Sequence, residues 1–303
     1  MKKIKKSSAL LMIAVMYILA FGAATVFSYF MRDAIGNIYW NLLAATSIAT
    51  AIIFLFNLIF GNASVYDPYW SVQSIWMIAI SYLFLGASFQ LEHLIILIPL
   101  ALWAIRLTAN WAMGFEGFAW EDFRYRDIKS NHPRIAQLLV FVGIMLIPTL
   151  LVYAGTVPLI YVITTTGAVN LYALIVGGCV VLGGVFLETI ADAQLKKCKK
   201  TAVKGTTCQV GLWRFSRHPN YLGEILIWIG LMLASMGLFW WPNLVGFLLI
   251  ILLFVFISIP MMEKHVLLTR PSFAQYKKTT SMLLILPRRR STDVPEIEET
   301  DNK

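Results

Sequence analysis

Eight long apolar runs, separated by short polar stretches, constrain the fold of this chain more than any other feature. They lie at about 8–30, 38–60, 69–90, 93–113, 135–153, 169–190, 221–238 and 242–261. Runs of this length can cross the hydrocarbon core of a bilayer as helices. With 59% hydrophobic and 14% charged residues, the chain has more apolar surface than a soluble domain can bury. The sequence therefore predicts an all-α polytopic membrane protein of about eight helices, within a range of roughly seven to nine, because residues 155–163 either extend the fifth helix or are re-entrant.

The basic residues indicate how these helices are oriented. Of the 25 Lys and Arg residues, 23 lie before residue 8, in residues 114–134, in residues 191–220 or after residue 261. Because cytoplasmic loops are enriched in Lys and Arg, this distribution places both termini in the cytoplasm. The net charge of +9 then reflects orientation and contact with anionic membrane lipids, and no nucleic-acid partner is expected. We expect a multi-pass protein of a bacterial inner membrane or of the endoplasmic reticulum.

The polarity of the chain predicts three parts. Residues 1–60 are expected to form an N-terminal transmembrane hairpin, whose first helix is retained because its apolar run is too long for a signal peptide. Residues 61–287 are expected to form the main membrane domain, and residues 288–303 a disordered charged tail. No internal repeat is visible in the sequence, which argues against a transporter built from inverted halves.

Residues 114–134 and 191–220 are the two predicted cytoplasmic loops that are long enough to build a binding site. The first mixes aromatic residues with charges of both signs. It is equally well interpreted as a segment lying in the membrane interface, with Trp120, Phe123 and Tyr125 at the level of the lipid headgroups.

The chain has three cysteines, Cys179, Cys198 and Cys208. They show no CxxC spacing and no matching pair of His residues, so no metal site is predicted. Cys198 and Cys208 fall in the second of these loops, in the predicted cytosol, where thiols are normally reduced.

The stretch from Gly211 to Glu224 brings a basic segment directly to the start of an apolar run. Pro219 suits the first turn of a helix because it has no N–H group to lose there. The N-terminus of that helix would carry a partial positive charge beside Arg217 and His218, an arrangement that binds phosphate or carboxylate. Glu224 points back toward it from the next turn. The sequence thus predicts an anion-binding site at a membrane boundary.

Asp67 is an ionisable residue at a membrane boundary, and it has two interpretations. It precedes Pro68, the usual arrangement of an N-cap residue followed by Pro at the first helical position. The polar residues around it, Tyr69 among them, indicate a functional site instead. The two interpretations are equally supported by the sequence.

Further candidate residues lie at the ends of the sixth and last apolar runs. Glu188 and Asp192 share one helix face, and Lys196 and Lys199 continue close to it. The group is either a helix end anchored in anionic lipid or a site that holds a ribose and its phosphates. Glu263 is either part of an interfacial cluster or a second wall of the site.

Four stretches of the sequence resemble the steroid 5-alpha-reductase C-terminal family, in its bacterial branch often labelled DUF1295. They are Gly211 to Glu224 (GLWRFSRHPNYLGE), Asp67 to Ser71 (DPYWS), Ala191-Asp192 with Gln194, and Phe273 to Tyr276 (FAQY) leading to Pro287. Together they are spread over most of the chain from about residue 60 to residue 287. The resemblance implies a multi-pass membrane oxidoreductase that uses NADPH to reduce a carbon–carbon double bond conjugated to a carbonyl, as in steroids.

The resemblance also implies roles for individual residues. Asn220, Tyr221 and Glu224 match the family's Asn-aromatic-Leu-Gly-Glu pattern, which is associated with cofactor contact. Asp192 matches an acidic ribose or adenine contact, and Asp67 is the nearest counterpart of the Glu that polarises the substrate. The expected catalytic residues are Asp67, Tyr69 and Glu224, and the expected cofactor contacts are Asp192, Lys196, Lys199, Arg217, His218, Asn220, Tyr221 and Tyr276.

The Arg-His-Pro-x-Tyr pattern is also shared with membrane methyltransferases that act on isoprenylcysteine or phospholipid and use S-adenosylmethionine. Those proteins commonly end with two consecutive Glu residues in the last helix, whereas this chain has Glu263 followed by Lys264. We therefore expect NADPH as the cofactor, S-adenosylmethionine as the alternative, and an apolar substrate that arrives from the bilayer. A transporter or lipid-binding protein is the non-enzymatic alternative, with the buried carboxylates along a permeation path.

Overall fold

The structure, a computed structural model, describes residues 4–165, 169–201, 203, 205–236 and 242–288. Within these ranges the regular elements are helical, apart from an isolated bridge between Ser216 and Ser281. The helices are α1 (Lys6–Ile35), α2 (Ile38–Phe60), α3 (Tyr69–Phe84), α4 (Leu91–Gly114), α5 (Phe123–Asn131), α6 (Ala136–Thr164), α7 (Leu171–Thr201), α8 (Pro219–Ala234), α9 (Pro242–Thr269) and α10 (Phe273–Thr279), with 3-10 turns at Ala63–Tyr66 and Gly211–Arg214. The predicted all-α membrane fold is confirmed.

Six of these helices, α1, α2, α4, α6, α7 and α9, are long and apolar enough to cross a bilayer. The other two predicted spans correspond to α3 and α8, which have 16 residues each and are therefore only about 24 Å long. Residues 155–163 continue α6, so the re-entrant alternative for them is wrong. The number of helices that cross the membrane and the side on which the termini lie stay predictions.

The α1–α2 hairpin shows how local sequence sets the helix ends. Gly36 ends α1 with a φ of 64°, a left-handed conformation that favours glycine, and its N–H donates to the carbonyl of Arg32 at 2.9 Å. The side chain of Asn37 then caps α2 by accepting from the N–H groups of Tyr39 and Trp40 at 3.0 and 3.2 Å. The turn between the two helices is short because both signals are adjacent in the sequence.

The chain divides into two compact units. The first comprises Met1–Val185 and Ile225–Ile251, and the second comprises Phe186–Glu224 and Leu252–Lys303. The division into residues 1–60, 61–287 and 288–303, which follows the order of the sequence, stays a prediction. Residues 289–303 of the predicted tail lie outside the described residues.

Small residues line the contact between α1 and α2 in the first unit. Ala20 and Ala24 of α1, and Ala45 and Ala49 of α2, are completely buried. Because lipid tails are as apolar as the side chains, membrane helices associate through close packing, which small residues allow. The outer face of α1 is apolar, and Ile18 there is 71% exposed, as expected for a lipid-facing side chain.

Glycines allow similarly close contacts among α6, α7 and α8 in the same unit. A Cβ atom added to Gly177 would lie 2.5 Å from the carbonyl oxygen of Gly230 and 2.7 Å from Cβ of Ala234. A Cβ atom added to Gly155 would lie 2.5 Å from the ring of Trp228. Helix α8 therefore packs against α6 and α7 at positions where no larger residue fits.

Candidate functional site

Asp67 does not cap α3. The N-cap position of that helix is Pro68, and no side chain caps it. The carboxylate of Asp67 accepts a hydrogen bond from the hydroxyl group of Tyr125, 58 residues later in the chain. The N-cap interpretation is therefore wrong, because the side chain turns toward α5 instead of toward the first turn of its own helix.

The segment that carries Tyr125 packs onto the turn that precedes α3. Asn62 donates from Nδ2 to the carbonyl of Trp120 at 2.6 Å, and the N–H of Asp122 donates to Oγ of Ser64 at 3.0 Å. Tyr125 is only 3% exposed. The ring of Tyr125 therefore lies inside the protein and is not presented to lipid headgroups. Whether the segment lies at the level of the membrane interface stays a prediction.

Burial makes the carboxyl group of Asp67 easier to protonate than an exposed one. Burial raises the pKa of Asp67 to about 6, although the charge of Arg124 and the hydroxyl of Tyr125 both favour the carboxylate. Burial also raises the pKa of Tyr125, and the negative charge of Asp67 adds to that effect. A carboxyl group with such a pKa holds its proton in part of the protein population near neutral pH, so it can act as a general acid.

Tyr69 belongs to a chain of buried hydroxyl groups. Its hydroxyl donates to the carbonyl of Thr46 at 2.8 Å and accepts from Oγ1 of Thr50 at 3.0 Å. Thr50 lies 2.7 Å from Oγ1 of Thr149, which in turn lies 2.9 Å from the hydroxyl of Tyr66. These contacts join α2, α3 and α6 through polar groups that would otherwise be costly inside a membrane protein. The expected catalytic role of Tyr69 stays a prediction.

A buried ionic cluster organises the second unit, and we call Arg217, His218, Glu263 and Lys277 the basic cluster. Arg217 Nε lies 2.7 Å from Glu263 Oε1, and its Nη1 donates to the carbonyls of Lys277 and Thr280 at 2.7 and 3.0 Å. His218 Nε2 is 3.1 Å from the same carboxylate oxygen, and Lys277 Nζ is 2.8 Å from the other. Arg217 and Glu263 are 8% and 3% exposed.

The composition of the basic cluster decides what it can bind. Three basic side chains share the single carboxylate of Glu263, so the cluster keeps an excess of positive charge when His218 is protonated and also when it is neutral. Lys277 is the accessible member, with a side chain that is 46% exposed. The predicted anion-binding site would thus contain a carboxylate of the protein itself. Whether Glu263 belongs to that site or to an interfacial cluster stays a prediction.

Helix α8 begins at Pro219, as the sequence predicts. The ring of His218 stacks on that of Tyr221 with centroids 5.4 Å apart, and Tyr221 contacts Phe254 at 5.0 Å. Glu224 is buried, whereas Asn220 is partly exposed. The start of α8 therefore stacks an imidazole on a phenol in the second unit.

Tyr276 holds the backbone that leads into the basic cluster. Its hydroxyl donates to the carbonyls of Trp213 and Ser216, at 2.5 and 3.0 Å. Gln194 supports the same stretch from α7, where its Oε1 accepts from the N–H of Leu212 at 2.8 Å. The contact of Tyr276 with a cofactor stays a prediction, and the observed hydrogen bonds give this residue a positioning role.

The predicted residues divide between the two units. Asp67 and Tyr69 lie in the first unit. The second unit contains the other predicted site residues, namely Asp192, Lys196, Lys199, Arg217, His218, Asn220, Tyr221, Glu224 and Tyr276. On α7, Asp192 is partly buried, and Lys196 and Lys199 are exposed to solvent.

Sequence reasoning missed Tyr125 and Lys277 as site residues. The loop of Tyr125 contains a helix-start signal, because Asp122 caps α5 by accepting from the N–H of Arg124 at 2.9 Å. That signal could have placed Tyr125 on a helix. Lys277 has no comparable local signal, since its partner Glu263 lies on α9.

A protein-family model matches the part of the chain that contains these residues. The family model described as "Protein of unknown function (DUF1295)" matches residues 53–280, well over half of the 303-residue chain. No curated protein and no solved structure matches the chain. The matched range includes Asp67, Tyr125 and the whole basic cluster. The chain belongs to the DUF1295 family.

Proposed function

We propose that this protein is an integral-membrane oxidoreductase that uses NADPH to reduce a carbon–carbon double bond conjugated to a carbonyl group in an apolar substrate. The supporting observation is the hydrogen bond between the partly buried Asp67 and the buried Tyr125. When hydride adds to the far carbon of such a double bond, negative charge develops on the carbonyl oxygen, and a preorganised acid stabilises it. Methyl transfer from S-adenosylmethionine requires no acid of this kind.

The basic cluster fits the anionic part of NADPH. Its excess positive charge and the N-terminus of α8 are the features that bind phosphate groups in proteins. Lys277 is exposed enough to reach a phosphate, and Lys196 and Lys199 are exposed on α7. The bound cofactor would supply the hydride.

The remaining residues of the second unit would orient the cofactor. Asp192 would hold a ribose hydroxyl, because carboxylates accept hydrogen bonds from hydroxyl groups. Asn220 and Tyr221, at the start of α8, would contact the nicotinamide. Glu224, buried one turn later, is proposed to act beside them.

Asp67 would hold the proton at the substrate carbonyl oxygen, and Tyr125 would keep the carboxyl group in place through its hydrogen bond. The apolar substrate is proposed to enter from the bilayer. The Tyr69 hydroxyl is held by the carbonyl of Thr46 and the hydroxyl of Thr50, and its ring would form a rigid wall beside Asp67.

Thermal unfolding of the purified full-length protein in detergent tests this proposal. A ligand that binds only the folded state stabilises it by about 2.7 kcal/mol at a hundred times its Kd. We expect NADPH to raise the unfolding temperature and S-adenosylmethionine to leave it unchanged. Stabilisation by S-adenosylmethionine alone would replace the reductase with a methyltransferase, and no response to either ligand would favour a transporter or lipid-binding protein.

Reduction of a conjugated apolar ketone then tests the role of Asp67. We expect Asp67→Asn to lower kcat by roughly 10²- to 10³-fold, since the loss of one such donor costs about 2–4 kcal/mol in the barrier. Asp33→Asn is the matched control, because the Asp33 side chain is 91% exposed. Unchanged turnover in Asp67→Asn would remove Asp67 from the mechanism.

A further inference from the structure

The second unit contains a disulfide between Cys198 and Cys208. Their Cα atoms are 6.1 Å apart, a distance at which two cysteines can be bridged without movement of the backbone. The expectation that both thiols are reduced is therefore not what the structure shows. The bridge connects the last turns of α7 to the loop that precedes the Gly211–Arg214 turn.

We propose that Cys198 and Cys208 form a reversible thiol–disulfide switch that fastens residues 205–210 to the end of α7. The Lys and Arg distribution predicts that this loop lies in the cytosol, where a permanent disulfide is unusual and a pair that changes its redox state is typically regulatory. The proposal does not depend on the reaction that the protein catalyses.

The bridge is the strongest attachment of this loop. Among the described residues, its other side-chain attachments to distant parts of the chain are the hydrogen bond between Thr207 Oγ1 and Ser272 Oγ, at 2.9 Å, and the one that Arg288 donates to Gln209. Both are exposed, and exposed hydrogen bonds contribute little because water replaces them readily. Reduction of the bridge would therefore release the loop.

The released region has a defined end. Trp213 donates from its indole N–H to the carbonyl of Ala191 at 2.8 Å, and this contact is buried. The N–H of Leu212 is held by Gln194. Because these contacts do not involve the cysteines, reduction should loosen residues 205–210 and leave residues 212–217 in place.

The exposure of the two cysteine residues indicates the order of the exchange reaction. Cys208 is 6% exposed, whereas Cys198 is only partly buried. On oxidation, the Cys198 thiolate attacks an external disulfide of the glutathione type and displaces one thiolate from it. Cys208, as its thiolate, then attacks the mixed disulfide and displaces the second. Two electrons pass to the external disulfide, and the two protons of the cysteine thiols leave with its two products.

Four basic residues surround Cys198 in the sequence and would attract the anionic glutathione: Lys196, Lys197, Lys199 and Lys200.

Redox titration of the full-length protein in native membranes tests the switch. The protein is equilibrated with mixtures of reduced and oxidised glutathione, free thiols are trapped with N-ethylmaleimide, and the linked 198–208 peptide is quantified by mass spectrometry. We expect half-conversion within the range of glutathione ratios found in cells. Absence of the linked peptide at every ratio, or its persistence until a strong dithiol is added, would overturn the proposal; persistence would identify a permanent structural bridge.

Hydrogen exchange of both redox states tests the structural consequence. We expect residues 205–210 to exchange faster after reduction and residues 212–217 to be unchanged. Cys208→Ser should show the reduced pattern under both conditions, and Cys179→Ser, which removes the free cysteine, should titrate like the wild type. Equal exchange of residues 205–210 in both states would contradict the switch.

Discussion

The carboxyl group of Asp67 lies beside the hydroxyl of Tyr125 and within the field of Arg124. Burial raises its pKa from 3.8 to about 6, so the folded protein keeps a proton that the unfolded chain releases between these values. The contribution of Asp67 to stability must therefore fall as the pH rises from about 4 to about 6. This pH dependence of stability follows from the position of the Asp67 side chain and does not depend on a bound substrate.

Asp67→Asn should flatten this pH dependence. The removed contribution is on the order of 1–3 kcal/mol, because one pKa unit corresponds to about 1.4 kcal/mol. We expect the variant to gain stability relative to the wild type above pH 6, as measured by unfolding in detergent across this pH range. Asp33→Asn should keep the wild-type slope, and identical slopes for Asp67→Asn and the wild type would show that this carboxyl group is not buried in solution.

Arg217 and Glu263 should be strongly coupled in stability. Arg217→Ala leaves the carboxylate of Glu263 buried with fewer partners, a change that typically costs about 3–5 kcal/mol. The double variant Arg217→Ala/Glu263→Gln should lose less than the sum of the single variants, as measured in a double-mutant cycle. Arg217→Lys should not restore stability, because one ammonium group cannot replace the three hydrogen bonds of the guanidinium. Additive single effects would contradict the observed ion pair.

At the level of elements, the contact between α7 and α8 depends on the absence of a side chain at Gly177. A Cβ atom there would approach the backbone carbonyl of Gly230 to 2.5 Å, and backbone cannot move aside cheaply. We expect Gly177→Ala to destabilise the protein by about 1–3 kcal/mol in thermal unfolding, as overpacking does. Gly183→Ala on the same helix is the control, since a Cβ atom there has no neighbour within 4 Å. Equal effects of the two variants would refute the close helix contact.

The elements also show which features the sequence could predict. Each apolar run is a local property, and each of the eight predicted runs contains a helix in the structure. The start of α8 at Pro219 was predictable for the same reason. By contrast, the bonds from Asn62 to Trp120 and from Tyr125 to Asp67 each join residues 58 positions apart. The periodicity of a sequence does not predict which distant residues are in contact. The hydrogen bond from Tyr125 of α5 to Asp67 could therefore only be seen in the structure.

For the whole molecule, the distribution of Lys and Arg predicts an orientation that chemical labelling can check. In a background without the three natural cysteines, Asp33→Cys should react with a membrane-impermeant maleimide in intact cells. Ser130→Cys should react only after permeabilisation. Both positions are exposed, so a difference in labelling reports the side of the membrane. The opposite pattern would invert the predicted topology.

The second unit is held together by residues that are far apart in the chain. Arg217 donates to the carbonyl of Thr280, 63 residues later, and the N–H of Arg217 donates to the carbonyl of Ser281 at 2.9 Å. The N–H of Leu286 likewise donates to the carbonyl of Phe215 at 3.3 Å.

During synthesis, the segment from Phe215 to Arg217 is therefore made before the residues that it pairs with. Until those partners emerge, Arg217 and His218 lack the carboxylate of Glu263, and Arg217 also lacks the carbonyl groups that accept its hydrogen bonds. A ribosome that stalls between these two segments would leave a chain whose second unit cannot close and is open to quality-control proteases.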